Sequence, residues 1–413
     1  MEIKRDKYLA ELIDSIGNGL VKVIVGTRRC GKSYLLFNLF EKYLLANVTD
    51  NEHIIKINFD AFENLKLTKA EECYKYLISK VKDDKQYFFL LDEIQLLENF
   101  ESILNSFLNK NIDIYVTGSN SKMLSSDIAT EFRGRGWLIN VFPLSFNEFK
   151  SAKSNLNYDD AFEEYFTYGG MPYIIELNSP KDKIKYLKNL YLETYLKDII
   201  ERNKLRNDDN IEELLPILAS NIGSFTNVHK LTSTFVSINK KQISDHSISK
   251  YLSYLEDAFI LYRAKRYDIK GRKYIGANDK YYFADCGIRN AILNFRQTEP
   301  SHLMEQILYI ELLNRGYSVD VGVVETRETK TNERKYVEVD FVCNLGSQKL
   351  YLQSAYQIND NKKLQQELRP FKNIDDSFKK IVVVGGKLKP YYDDYGILHM
   401  GLYDFLENDN YSF

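Results

Sequence analysis

The residues from Gly26 to Ser33 have the types and spacing that hold a nucleoside triphosphate. Gly26 and Gly31 let the backbone turn back on itself, so that successive N–H groups point at phosphate oxygens. Lys32 reaches the β- and γ-phosphates, and the Ser33 hydroxyl ligates the magnesium ion that bridges them. We predict a site for ATP and Mg²⁺ whose contacting residues are Gly26, Thr27, Arg28, Arg29, Cys30, Gly31, Lys32, Ser33 and Tyr34.

Two consecutive carboxylates, Asp92 and Glu93, end the apolar run 87–91. Burying charge is costly, so carboxylates at the end of a dry strand indicate a function. With the phosphate loop upstream, we predict that Asp92, together with Ser33, holds the magnesium ion. Glu93 is then the catalytic base that orients and deprotonates the attacking water. The alternative is a solvated strand end without chemistry.

Further polar residues are weaker candidates. Asn120, with Ser119, follows the run 112–116 and either orients the attacking water or starts a helix, a position that Ser and Asn also favour. Arg135, with Arg133, either reaches a neighbouring subunit's phosphates as an arginine finger or lies in a solvated turn. The catalytic candidates are therefore Lys32, Glu93, Asn120 and Arg135.

The elements that must position these residues are short apolar strands alternating with helical patterns. Strands are predicted at 21–25, 54–59, 87–91, 112–116 and 137–142, and a helix follows the phosphate loop. This alternation predicts an α/β fold with a parallel sheet covered on both faces. In such sheets a ligand lies at the carboxyl ends of the strands, where the polar residues emerge.

Composition narrows the class of protein. The chain has 413 residues, enough for two to four domains, and a formal net charge of -2, so any surface for nucleic acid must be a local patch. Nothing at the start resembles a signal peptide, and no apolar run approaches the roughly 20 residues that span a bilayer. Scattered cysteines favour reduced thiols. These features predict a cytoplasmic protein without a membrane partner.

Six segments in order resemble the prokaryotic AAA-superfamily ATPases that carry a C-terminal domain of unknown function. They are Gly-Thr-Arg-Arg-Cys-Gly-Lys-Ser, Leu-Leu-Asp-Glu-Ile-Gln, Thr-Gly-Ser-Asn-Ser, Phe-Pro-Leu-Ser-Phe-Asn-Glu-Phe, Tyr-Gly-Gly-Met-Pro and Tyr-Leu-Lys-Asp-Ile-Ile-Glu-Arg. The resemblance implies an ATPase core, a helical lid and a winged-helix segment. We place them at 1–155, 156–208 and 209–285.

The winged-helix assignment rests on three helical patterns followed by a basic strand-like stretch. A winged helix binds double-stranded DNA in many proteins and serves as a protein–protein module in others. The polar and basic residues of 241–273 are the candidate DNA surface, and those placed to meet phosphates are Arg263, Lys265, Arg266, Lys270, Arg272 and Lys273.

Residues 286–413 resemble the restriction-endonuclease-like fold, whose metal site uses a helix Glu, a strand Asp and then Glu-x-Lys. Glu305 and Glu311 lie on the candidate helix, and Asp340 lies where the Asp is expected. The next strand has Gln353-Ser354-Ala355 in place of Glu-x-Lys, which removes a carboxylate that Mg²⁺ prefers. We therefore predict a nuclease-like domain without nuclease activity.

Three functions remain open. The first is an ATPase whose hydrolysis drives conformational change, in a DNA-linked role. The second is a nucleotide-gated switch with slow turnover that controls homo-oligomer assembly or capture of a protein partner. The third, an ATP-driven metal-dependent nuclease, is disfavoured by the missing Glu-x-Lys.

Overall fold

The computed structural model describes residues 3–108, 110–118, 134–205, 209–276, 278–296, 299–327 and 334–408. The chain divides into two compact units. Unit 1 comprises Met1–Pro143 and Asp257–Phe259, and unit 2 comprises Leu144–Glu256 and Ile260–Phe413.

Unit 1 is built on a parallel sheet. Its strands are β1 (Val21–Val25), β2 (Ile54–Asn58), β3 (Tyr87–Asp92), β4 (Ile112–Thr117) and β5 (Gly136–Asn140). They lie in the order β2-β3-β4-β1-β5. Every residue of β1, β3 and β4 is buried, as expected when both faces of a sheet are covered. The parallel α/β sheet predicted from the sequence is confirmed.

Helices and short helical turns connect these strands. The helices are α1 (Asp6–Asp14), α2 (Lys32–Tyr34), α3 (Glu41–Asn47), α4 (Ala70–Lys80) and α5 (Phe100–Phe107). A π-helical segment, Leu35–Phe40, joins α2 to α3, and 3₁₀ helices occupy Asn51–His53, Phe62–Thr68 and Ile94–Leu96. The segment Leu35–Phe40 packs with α1 into the main apolar core, beside Tyr115 of β4 and Ile24 of β1.

A buried ion pair joins the two strands at the centre of the sheet. The Lys22 ammonium on β1 lies 2.6 Å from Asp113 of β4, and both side chains are almost completely buried. Asp113 also accepts hydrogen bonds from the N–H of Gly17 and the amide of Gln86. The two charges can be buried because each has its partner.

Unit 2 contains helices along its whole length. They are α6 (Phe146–Ala152), α7 (Tyr158–Tyr168), α8 (Pro180–Asn189), α9 (Lys197–Asn203), α10 (Asp209–Ser220), α11 (Val228–Asn239), α12 (Asp245–Asp257), α13 (Cys286–Ile292), α14 (Pro300–Asn314), α15 (Asn361–Leu368) and α16 (Leu402–Glu407). A π-helical segment at Leu190–Leu196 joins α8 to α9, and 3₁₀ turns occupy Pro172–Glu176 and Phe371–Asn373. In the described ranges, no helix of either unit is long and apolar enough to cross a membrane.

The strands of unit 2 form a large mixed sheet and a small antiparallel one. They are β6 (Leu261–Ala264), β7 (Arg266–Asp268), β8 (Lys273–Tyr274), β9 (Lys280–Phe283), β10 (Ser318–Arg327), β11 (Arg334–Leu345), β12 (Gln348–Ala355), β13 (Lys379–Val384), β14 (Tyr391–Tyr392) and β15 (Leu398–Gly401). The large sheet has the order β14-β15-β13-β12-β11-β10-β7-β8, and β6 pairs with β9.

This pairing differs from the one expected for the basic strand-like stretch 259–274, which was predicted to form the two-stranded wing of a winged helix. Three helices, α10 to α12, do precede a two-stranded sheet, but the partner of β6 is β9. The hairpin β7–β8 instead pairs through β7 with β10 of the large sheet. Because strand pairing is decided by distant residues, the local pattern did not reveal it.

A buried carboxylate fixes the Gly169-Gly170 turn after α7. Asp285 accepts hydrogen bonds from the N–H of Gly170 at 2.6 Å and of Ile288 at 3.0 Å, the latter capping α13. Gly169 has φ +74°, and a Cβ there would lie 2.1 Å from Asp285 Oδ1. Gly169 is therefore required where this backbone passes the carboxylate, and a Cβ at Gly170 would lie 2.2 Å from the carbonyl oxygen of Leu144.

We predict that Asp285→Asn changes how stability depends on pH. Burial raises the pKa of Asp285 from 3.8 to about 6. A carboxyl with a raised folded-state pKa contributes stability that is complete below its unfolded pKa and is lost as the pH rises through the folded pKa. The free energy of unfolding of the wild type, relative to the variant, should thus fall by about 2–3 kcal/mol between about pH 4 and pH 7.

Urea unfolding at both pH values measures this difference. The matched control is Asp360→Asn, which changes an exposed carboxylate that caps α15. If the difference in free energy of unfolding between the wild type and Asp285→Asn stays constant over this pH range, the raised pKa of Asp285 is contradicted.

Candidate nucleotide-binding site

The phosphate loop follows β1 and has the backbone that its glycines predict. Gly26 has φ +142°, and a Cβ there would lie 2.0 Å from the carbonyl oxygen of Val141. Gly31 has φ +100°. Arg29 also has a positive φ, +61°, and its side chain is exposed. The loop is therefore held in a turn that ordinary residues adopt only at a cost in free energy.

Within the loop the ammonium of Lys32 lies against main-chain oxygens. Its Nζ donates to the carbonyls of Gly26 at 2.9 Å and Thr27 at 3.0 Å, and the side chain is buried. The hydroxyl of Thr27 donates to the carbonyl of Phe259 at 2.9 Å, within the same unit. Phe259 has φ +55°, an uncommon conformation for an aromatic residue.

The predicted magnesium ligands, Ser33 and Asp92, come together. The Ser33 hydroxyl donates to Asp92 Oδ1 at 2.8 Å. Burial raises the pKa of Asp92, and hydrogen bonds from Thr117 and Ser33 oppose this shift. Hydroxyl and carboxylate oxygens are the donor set of a Mg²⁺ site beside nucleotide phosphates, so these two residues fit that ion.

Glu93 lies directly after Asp92 in a left-handed turn. Its φ is +54°, and its carboxylate accepts a hydrogen bond from Gln95. Strained residues of this kind are concentrated at functional sites because the surrounding structure must hold them in place. The side chain is half-buried, as a base that reaches a water must be.

Thr117, the last residue of β4, is a site residue that the sequence did not reveal. Its hydroxyl donates to Asp92 Oδ1 at 2.5 Å and accepts from the N–H of Glu93 at 3.0 Å. It lies between both carboxylate residues and β1 because β4 separates β3 from β1 in the sheet. The signals in the sequence were its place at the end of an apolar strand and at the start of the segment Thr-Gly-Ser-Asn-Ser.

Arg5 is the second such residue. Its buried guanidinium donates to the carbonyls of Cys30 at 3.1 Å and Phe142 at 2.7 Å, and so holds the back of the phosphate loop. The thiol of Cys30 is also buried and lies 3.3 Å from the carbonyl of Val141. The side chain of Cys30 therefore points into the protein interior.

The remaining residues predicted for the nucleotide site differ in their distance from the phosphate loop. Arg28 is half-buried within the loop, and Tyr34 packs against the core of unit 1. Arg135 is exposed next to the first residue of β5, so the length of β1, about 13 Å, separates it from the phosphate loop of its own chain. Ser119, Asn120 and Arg133 lie outside the described residues.

Two of the carboxylates expected for a nuclease-like site, Glu305 and Asp340, come together in unit 2, joined by Glu338, which the sequence did not single out. Carboxylate oxygens of Glu305, Glu338 and Asp340 lie within 4.8 Å of one another. Glu311 is not among them, because it pairs with Arg315 at 2.7 Å. Asp340 accepts from the N–H of Ser354 at 2.7 Å, and burial raises its pKa well above the usual range.

Comparisons with known proteins agree with this geometry. Residues 18–150 match the family model of an AAA domain, and residues 159–299 match a domain of unknown function, DUF8612. The chain resembles in fold the Walker-type ATPase PABY2304 of Pyrococcus abyssi, with 15% identity and a TM-score of 0.50. That likeness covers 71% of this chain and 96% of the other.

Two relatives extend along most of the sequence. An uncharacterized protein of Haemophilus influenzae is 35% identical over 389 residues, which cover 93% of each chain. The uncharacterized protein MJ1544 of Methanocaldococcus jannaschii is 30% identical over 85% of this chain and 78% of its own. The chain belongs to the family of these two proteins, and its N-terminal part is an AAA domain with the P-loop ATPase fold.

Proposed function

We propose that the chain binds ATP with Mg²⁺ at the phosphate loop and hydrolyses it, and that hydrolysis drives a conformational change. The observation that carries this proposal is the 2.8 Å contact between the Ser33 hydroxyl and Asp92, beside Lys32 and Glu93. Phosphoryl transfer needs positioning and charge stabilisation more than covalent chemistry, and this set of groups supplies both.

Each residue has a distinct part in the proposed reaction. The loop N–H groups bind the phosphate oxygens, and the Lys32 ammonium exchanges its carbonyl contacts for the β- and γ-phosphates. Ser33 and Asp92 would hold Mg²⁺, which neutralises charge on the phosphates when bound. Glu93 accepts a proton from the attacking water, while Thr117 and Gln95 fix its position.

The proposed conformational change is supported by the position of Phe259. Thr27 of the loop binds the carbonyl of Phe259, and the chain on either side of Asp257–Phe259 belongs to unit 2. A rearrangement of the loop on hydrolysis would therefore reach these segments along the main chain.

Two variants test the assignment of the reaction. Lys32→Ala should lower ATP affinity below detection, because the cation that meets the phosphates is lost. Glu93→Gln should bind ATP with unchanged affinity and lower kcat by about 10²–10⁴-fold. Fluorescent-nucleotide titration and phosphate release measure the two effects. Glu101→Gln, which changes a half-buried glutamate at the start of α5, is the control. Wild-type turnover by Glu93→Gln would show that Glu93 is not the base.

Thr117 supplies a test of positioning. Thr117→Val keeps the shape but leaves the Glu93 N–H and one Asp92 oxygen without this partner, whereas Thr117→Ser keeps the hydroxyl. We expect Thr117→Val to raise the Mg²⁺ concentration needed for half-maximal ATPase by about 10–100-fold, the usual effect of residues that orient metal ligands. Thr117→Ser should restore it. Equal Mg²⁺ dependence in the two variants would exclude this role.

A DNA-linked role is the first candidate for what the ATPase serves. Lys270, Arg272 and Lys273 are exposed at the β7–β8 turn, where phosphates can approach. The other basic candidates are engaged: Arg266 lies over the rings of Phe225 and Tyr336, and Arg263 lies within 4 Å of Glu256 and Asp279. Lys265 lies over Tyr274.

Charge reversal of the hairpin tests DNA binding. Lys270→Glu, Arg272→Glu and Lys273→Glu together should weaken affinity for duplex DNA and reduce the slope of log affinity against log salt by about 2–3, since each lost phosphate contact reduces it by about 0.9. The control reverses Lys181, Lys185 and Lys197, which are also exposed and change the net charge equally.

The outcome also separates the two candidate roles. DNA-stimulated ATPase that is lost only in the hairpin variant supports the DNA-linked role. Absence of DNA affinity, with a change in oligomeric state on ATP binding in light scattering, supports the nucleotide-gated switch instead.

The C-terminal part of unit 2 is proposed to be nuclease-like in fold and inactive. Support comes from Gln353, which occupies the position expected for a carboxylate. Its amide nitrogen donates to Glu367 at 3.1 Å, and its carbonyl oxygen lies 3.4 Å from the N–H of Asp340. A glutamate there would face the Glu367 carboxylate. Metal-dependent DNA cleavage that disappears in Asp340→Ala would overturn this proposal.

A further inference from the structure

The carboxylate cluster of unit 2 contains its own cation. Lys280 of β9 is 3% exposed, and its Nζ lies 2.8 Å from Glu305 Oε1 and forms a second ion pair with Glu338. The ring of Phe225 covers the same ammonium, with its centre 5.5 Å away. Glu305 and Asp340 are buried and Glu338 is partly buried. Carboxylates clustered in this way need a positive charge nearby, and Lys280 provides it.

The hydrogen bonds leave little coordinating capacity for a metal ion. Glu305 Oε1 accepts from both Lys280 Nζ and the hydroxyl of Tyr282, the latter at 2.6 Å. A carboxylate oxygen has about two acceptor positions, so this oxygen is saturated. Glu305 Oε2 lies beside Gly223, close enough that a Cβ added there would come within 3.1 Å of it.

Charge also opposes a metal ion while Lys280 is present. A divalent ion bound to Glu305 Oε1 at about 2.1 Å would lie within about 5 Å of the ammonium, which is 2.8 Å from the same oxygen. At that distance in a buried site, repulsion between a double and a single positive charge is severe. Lys280 and a metal ion therefore compete for one position.

We propose that Lys280 is the resident cation of the Glu305–Glu338–Asp340 cluster, in the place that a divalent metal ion would take. Removal of its ammonium group opens the cluster to Mn²⁺ or Mg²⁺. This inference does not depend on ATP hydrolysis.

The test measures Mn²⁺ binding to the nucleotide-free full chain. Electron paramagnetic resonance measures the concentration of free Mn²⁺, and thermal unfolding measures the effect of the metal on stability. The proteins are the wild type, Lys280→Ala, Asp340→Asn and the double variant. Lys181→Ala makes the same change at an exposed lysine and is the matched control. We expect Lys280→Ala to gain a Mn²⁺ site at least about a hundredfold tighter than any at this cluster in the wild type. Its melting temperature should rise with Mn²⁺.

The controls identify where the ion binds. The double variant should lose the gained site, because Asp340 is one of its ligands, and Lys181→Ala should behave as the wild type. A site in the wild type that Asp340→Asn abolishes overturns the proposal. The proposal is also overturned if Lys280→Ala gains no Mn²⁺ site. This holds both for a variant that folds without metal and for one that stays unfolded when Mn²⁺ is present. Folding of Lys280→Ala only in the presence of Mn²⁺ supports it.

Discussion

The hydrogen bond from Ser33 to Asp92 is the interaction on which the nucleotide site depends. A carboxylate buried at the end of β3 is stable only with donors around it, and they come from the phosphate loop and from Thr117 of β4. This requirement places three strands side by side in the order β3-β4-β1. The sheet thereby brings together the loop, the proposed metal ligand Asp92 and Glu93 before any nucleotide binds.

Buried charge imposes the same constraint elsewhere, and each solution uses residues far apart in sequence. Lys22 pairs with Asp113 below the sheet, Asp285 holds the Gly170 turn, and Lys280 neutralises Glu305. The last pair has a functional consequence, because a cluster resembling a metal site contains an ammonium group. A cluster of carboxylates in a sequence therefore predicts a cation, and the fold decides whether the cation is a metal or a lysine.

Where the sequence failed, the missing information was strand pairing. The basic stretch 259–274 has the composition of a wing, yet β7 pairs with β10, about fifty residues later in the chain. Arg266 consequently stacks between aromatic rings and leaves Lys270, Arg272 and Lys273 as the exposed basic residues of that hairpin. Asp340 and Glu305 were found from the sequence. Lys280 was not, because its strand, β9, precedes the range 286–413 that resembles the restriction-endonuclease-like fold.

The sequence by itself determined the phosphate loop, the carboxylate pair Asp92–Glu93 and the parallel sheet, because these depend on local chemistry: glycines where φ is positive, apolar runs and polar strand ends. The tertiary structure alone decided what surrounds them. Thr117 and Arg5 became part of the site, and Arg135 was placed at the opposite end of its strand from the loop. The reason is physical: partners of buried polar groups are chosen by packing between distant segments, which leaves no periodic pattern in the chain.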